Sequence, residues 1–252
     1  MELWQMALLF GAALIAGGLN AVAGGGSFIA FPALLFVGIP PISANATTAV
    51  ALWPGNAASV GAYRRELAGQ GASLVHFGVL SLIGGLLGAM LLLRTEEAVF
   101  AGLIPYLMLG ATIVFAIGPW LARLTRGMAL GDGRGVRIAV FALYLAIAIY
   151  GGFFGAGLGI LTLAVLALLG GENIHTMNAL KTLQATLING VAVLAFVLAG
   201  VVTWSAALVM VAGAIAGGYG GAALARRLNP QLVRIGVIIV SVGLTAVFFI
   251  RS

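Results

Sequence analysis

The sequence predicts an all-α integral membrane protein made of two inverted-topology repeats of about five helical segments each, with Gly-rich broken hairpins meeting near the midplane. Three observations predict it. Of 252 residues, 62% are hydrophobic and only 7% charged, whereas soluble domains carry about 25% charged residues. The sequence matches itself without gaps when slid by 133 positions. Each half also holds a glycine-rich break, AGGGS at 23–27 and GAGLG at 155–159, followed by an apolar stretch too short to cross a bilayer. A surface so poor in charge cannot face water all round. An outer-membrane barrel is excluded, because barrel strands alternate polar and apolar residues and runs such as AVLALL and VIIVSVGL do not.

The N-terminal MELWQMALLF carries Glu2 and no positive leader, so it reads as the start of a first helix rather than a cleaved signal. Repeat 1 (1–122) then divides into segments 6–23, 27–37, 44–63, 72–93 and 98–120. The charge-free runs Gly71–Leu93 and Ala98–Ala122 exceed the length a bilayer requires. A connector at 123–136 holds Arg123, Arg126 and Arg134. Repeat 2 (137–252) gives 137–156, 160–170, 177–201, 205–225 and 231–250.

The self-match places Gly24 and Gly26 on Gly157 and Gly159, and Asn45 and Asn56 on Asn178 and Asn189. Asparagine is scarce here, which makes those two coincidences informative. Gly84, Gly85 and Gly88 fall on Gly217, Gly218 and Gly221; small residues at such spacing let helices approach closely in lipid.

Positive charge orients the segments, since cytoplasmic loops are enriched in Lys and Arg. With the connector inside, nine of the twelve basic residues lie in cytoplasmic loops, two lie outside and Lys181 lies within a helix. Both termini then fall outside, in a plasma (inner) membrane. Corresponding loops of the halves swap sides, as an inverted repeat requires. The net charge of +6 reports this topology and not nucleic-acid binding. There are no cysteines, so disulfides and thiolate metal sites are excluded; no metal, cofactor or catalytic residue is expected. The partners expected are the bilayer and a small anion, and a homodimer is compatible with the sequence.

Residues 27–37 would form a helix of about 16 Å against a hydrocarbon core of about 30 Å. The first two segments of each half should therefore make a hairpin with its glycine tip inside the membrane. Broken backbone at that depth is tolerated only inside protein or beside a watered cavity. Short helices starting there present free N–H groups and partial positive charge, an arrangement found at transporter sites. The candidate substrate-binding residues are Gly24, Gly25, Gly26, Ser27, Gly157 and Gly159 at the tips. Asn45, Thr48 and Asn56, then Asn178, Lys181 and Asn189, form stripes on the third segments. Polar side chains in a bilayer usually face the bundle interior, and these supply amide, hydroxyl and ammonium donors. Each has a plainer reading: Ser27 as a helix cap, the asparagines as interhelical bridges, Lys181 as a side chain snorkelling to the interface.

These residues resemble the sulfite exporter TauE/SafE family of membrane permeases. The likeness is carried by GGLNAVAGGGSFIAFPALL with GIPPISANATTAV, and by YGGFFGAGLGILTLAVLALLGG with NALKTL and GVVTW. It spans nearly the whole chain. The resemblance implies transport of sulfur oxyanions or organosulfonates, such as sulfite or sulfoacetate. The expectation is a secondary transporter with alternating access and one central anion site. An anion channel on the same fold is the alternative; an intramembrane serine protease using Ser27 and His76 is a remote one, since nothing orients the histidine.

Overall fold

The computed structural model describes residues 1–22, 25–68, 71–125, 133–168, 173–225 and 230–251. Every regular element among them is a helix: α1 Leu3–Val22, α2 Ser27–Phe36, α3 Pro41–Ala62, α4 Arg64–Leu67, α5 Gly71–Arg94, α6 Glu97–Thr125, α7 Arg134–Phe153, α8 Leu158–Leu168, α9 Ile174–Leu198, α10 Trp204–Ala225 and α11 Pro230–Arg251. The all-helical expectation holds. By length and composition, Leu3–Asn20, Leu74–Arg94, Glu97–Gly118 and His175–Leu198 are each sufficient to cross a membrane.

The two short helices are as short as the sequence requires. α2 has 10 residues and α8 has 11, about 15 and 16 Å of rise. α2 stops at Gly38, whose φ of +85° admits glycine readily, and the N–H groups of Gly38 and Ile39 turn back to Leu35 and Leu34.

Several boundaries differ from expectation: α1, α3, α7 and α9 each start three residues earlier, and α6 ends five residues later. α4 has no counterpart in the sequence pattern, because its four residues are too few to show a helical period. α9 starts three residues earlier than the apolar pattern indicates, because Asn173 caps it. Its Oδ1 accepts the N–H groups of His175 at 2.9 Å and Thr176 at 3.4 Å, which satisfies donors that a helix start otherwise leaves bare.

The helices form two compact units, and neither coincides with a sequence half. The first comprises Met1–Gly55, Leu92–Ile113 and Phe196–Ser252; the second comprises Asn56–Leu91 and Val114–Ala195. In the first unit α1 packs along α10, and α2 packs on α1 and α11. The α1–α10 contact is backbone-close. A Cβ added to Gly217 would lie 1.8 Å from Leu14 O, and one on Gly17 would lie 2.1 Å from Ala214 O. Glu97 Oε1 accepts the Ile42 N–H at the start of α3, and Thr47 Oγ1 accepts the Thr203 N–H.

In the second unit α5 lies against α7 in the same manner. A Cβ on Gly88 would sit 2.0 Å from Ile149 O, and one on Gly152 would sit 2.1 Å from Gly85 O. The close-packing role expected of Gly84, Gly85 and Gly88 is therefore seen. Gly218 differs from its counterpart Gly85 in having open space around it. α5 is apolar outside and small inside: Val79, Leu82, Ile83, Leu86 and Met90 are exposed, while Ser81, Gly84, Gly85, Gly88 and Ala89 are buried. In water that arrangement would be costly; in lipid the large side chains are solvated and helix contact comes from close packing. Tyr144 packs edge-on to Phe77 and shares a hydrogen bond with Ser81, so its polar tip is satisfied within an apolar cluster.

Candidate functional site

The break between α7 and α8 is built by two left-handed glycines. The N–H groups of Phe154 and Gly155 both turn back to Tyr150 O, at 2.9 and 3.1 Å. Gly155 and Gly157 have φ of +76° and +75°, a conformation that costs other residues roughly 1–2 kcal/mol. The Tyr150 hydroxyl donates to Ala156 O at 2.7 Å and braces the loop. α8 then resumes with Leu158 N–H to Gly155 O and Ile160 N–H to Gly157 O. The N–H groups of Gly157 and Gly159 make no hydrogen bond to another described residue.

Lys181 comes to this break from α9. A Cβ on Gly159 would lie 3.4 Å from Lys181 Cδ, so the lysine stem runs along the face that the missing side chain leaves open. Its Nζ donates to Asn178 Oδ1 at 3.2 Å. Among the described residues no carboxylate pairs with it. Because α9 begins at Ile174, Lys181 is its eighth residue, about 10 Å of rise from the helix start. That is one turn deeper than the sequence indicates.

Asn189 donates its amide to Ala185 O at 2.8 Å, and its Oδ1 lies 3.7 Å from where a Cβ on Gly155 would sit. The second unit thus sets Lys181, with Asn178 on its ammonium, beside Gly159, and Asn189 beside Gly155 at the other end of the same break.

The first unit holds the other break. Gly24 lies outside the described residues. Gly25 has φ +92°, and the Gly26 N–H donates to Asn20 Oδ1 at 2.8 Å. A Cβ on Gly26 would lie 2.4 Å from Ala16 O, so only glycine lets the chain pass this close to α1. Ser27 is the first residue of α2, while Gly26 occupies the cap position and no side chain caps it. The Ser27 hydroxyl makes no hydrogen bond to a described residue, so the capping reading does not apply. Asn45 and Thr48 are buried in α3, and Thr48 Oγ1 donates to Ala44 O. Asn56, farther along the same helix, is half-buried and belongs to the second unit. His76 is exposed, its ring stacked on Phe141.

Three contributors were not singled out by sequence reasoning. Asn20 holds the first break, and Tyr150 holds the second. Gln184, one turn after Lys181, is 2% exposed, and among the described residues neither its Nε2 nor its Oε1 has a hydrogen-bond partner. A glutamine inside an apolar span is expensive in itself, and that was the available signal.

Among the described residues, the second break offers bare backbone N–H groups, an ammonium balanced only by a neutral amide, and a free Asn178 Nδ2. All are donors or positive, which suits an anion with several oxygens. Among the described residues no cluster of His, Cys, Asp and Glu could hold a metal.

Apolar exposed faces, backbone-close helix contacts and glycine-broken short helices define a polytopic α-helical membrane protein. The chain belongs to the sulfite exporter TauE/SafE family, whose model matches residues 9–248. It is 30% identical over 244 residues to a probable membrane transporter protein of Haemophilus influenzae, covering 96% of this chain and 93% of that one. It is 28% identical to the probable membrane transporter protein YfcA of Escherichia coli K12, over 96% and 88% of the two chains. A probable membrane transporter protein ORF9 of a Sinorhizobium species is 27% identical, over 95% and 90%. No solved structure matches the chain. Family and relatives point to a membrane transporter rather than an enzyme.

Proposed function

We propose that the protein is a secondary transporter of small anions, with sulfur oxyanions and organosulfonates as its substrate class. The observation that carries this reading is Lys181: a cation inside an apolar helix, laid against a glycine-opened helix start, with no carboxylate partner among the described residues. An unneutralised charge in a bilayer is expensive and marks a functional site by default. An anion arriving from water relieves that expense. The family description supports sulfur oxyanions as the class, and Asn178 and the backbone donors of the second break fit their oxygens.

In this reading the two repeats have inverted topology and share the anion. One repeat moves against the other to open the site to either side of the inner membrane. Asn45, Thr48 and Ser27 serve the first break as Asn178 and Lys181 serve the second.

The test is uptake of labelled sulfite into liposomes holding the purified protein. Uptake is expected to saturate. Lys181→Ala is expected to raise the half-saturating concentration about 10- to 100-fold, the worth of a charge-assisted hydrogen bond. Asn178→Ala is expected to raise it less. Flux that rises linearly with sulfite and shows single-channel currents would contradict alternating access and favour a channel.

A further inference from the structure

Gln184 stands out among the groups that the proposed anion site does not use. Its amide is buried in α9, its donor and its acceptor both bare among the described residues. Leu180 and Ile188, one turn before and one turn after it, are apolar. Met177 and Leu180 precede it in a cluster with Leu166 and Ala167 of α8; Ile188 follows it in a cluster with Leu158 and Val165. An amide placed there without partners costs stability, and a methionine or leucine would fill the same space without that expense. The position is not random. Gln184 is three residues after Lys181, and residues so spaced are neighbours on a helix surface, about 5–6 Å apart at Cβ.

We propose that Gln184 forms the second half of the anion site centred on Lys181 and reads a neutral hydrogen-bonding group that the substrate carries beside its charged head. This rests on the transporter reading above. The two halves divide the work by chemistry. Lys181, Asn178 and the bare N–H groups only donate toward a ligand, so they fit the oxygens of the charged head. Gln184 offers Nε2 as donor and Oε1 as acceptor. A hydroxyl satisfies both, because its oxygen accepts and its hydrogen donates. A hydrocarbon group satisfies neither and leaves the amide bare. The favoured class is therefore a small sulfonate with a hydroxyl a short spacer away from its head. A site built to hydrogen-bond a hydroxyl rejects the analogue lacking it.

Hydroxyethanesulfonate and ethanesulfonate carry the same charge and differ by that hydroxyl. Each is titrated as a competitor of sulfite uptake by the full-length protein in liposomes. The wild type is expected to bind hydroxyethanesulfonate at least about tenfold more tightly, the scale of one well-placed hydrogen bond. Gln184→Met, close in shape and apolar, is expected to erase that preference, to keep the affinity for ethanesulfonate, and to melt at the same temperature or higher. Equal affinities in the wild type overturn the proposal, whether or not the variant folds. A preference that survives in Gln184→Met also overturns it, as does a melting temperature lowered by several degrees, which would make the amide structural. If neither sulfonate competes while sulfite uptake saturates, the inference fails and the transporter reading stands. If sulfite uptake itself does not saturate, both fail.

Discussion

Lys181 would be an unremarkable surface residue in a soluble helix. Its meaning comes from what surrounds it: an apolar span, an Asn178 oxygen at 3.2 Å, and a glycine that leaves room for its stem. Gly159→Val fills that room. It is expected to reduce sulfite uptake about as much as Lys181→Ala, with little change in melting temperature because the displaced stem is flexible. Uptake and melting curves on the same preparation check this. Asn20 makes a different kind of contact, a side-chain acceptor for the Gly26 N–H. Asn20→Ala leaves that N–H without its acceptor and is expected to cost about 1–3 kcal/mol, read as a lower melting temperature. The sequence marks Lys181, the tip glycines and the asparagine stripes as candidates because charge, helix-breaking residues and amides are all anomalous in lipid. Asn20, Tyr150 and Gln184 are not marked, since a polar residue shows in a sequence but its partner, or the lack of one, does not.

At the scale of elements, glycine divides into two populations that composition alone cannot separate. Gly88 lies under the backbone of α7, while Gly110 on α6 has nothing near it. Gly88→Ala is expected to destabilise by about 1–3 kcal/mol through overpacking. Gly110→Ala is expected to stabilise by roughly 0.5–1 kcal/mol through helix propensity. Thermal unfolding of both variants in one detergent decides between contact and composition as the cause. The lengths of α2 and α8 can be read from the sequence because glycines stand before and after each, with Pro40 and Pro41 following α2. The start of α9 lies three residues before the apolar period indicates, because its signal is the cap Asn173.

For the molecule as a whole, the two compact units draw helices from both halves of the chain: α1 with α10 in one, α5 with α7 in the other. A self-match reveals which segments are alike, not which pack together. Partner choice depends on where small residues meet across roughly 60 positions for α5 with α7 and roughly 200 for α1 with α10, and that is not legible in the sequence. The inverted topology proposed here has its own test, made simple because the sequence contains no cysteine. Ala68→Cys and Ala199→Cys lie in corresponding loops of the two repeats. An impermeant thiol reagent applied outside intact cells is expected to label the second and not the first; labelling of both would mean parallel repeats. The claim on which all of this turns is that the Lys181 ammonium is held open for an anion. Calorimetric titration of the purified protein with sulfite measures it most directly. Saturable one-site binding by the wild type, and its loss in a Lys181→Gln variant that melts at the same temperature, is the expected result. Undiminished sulfite affinity in Lys181→Gln would contradict it.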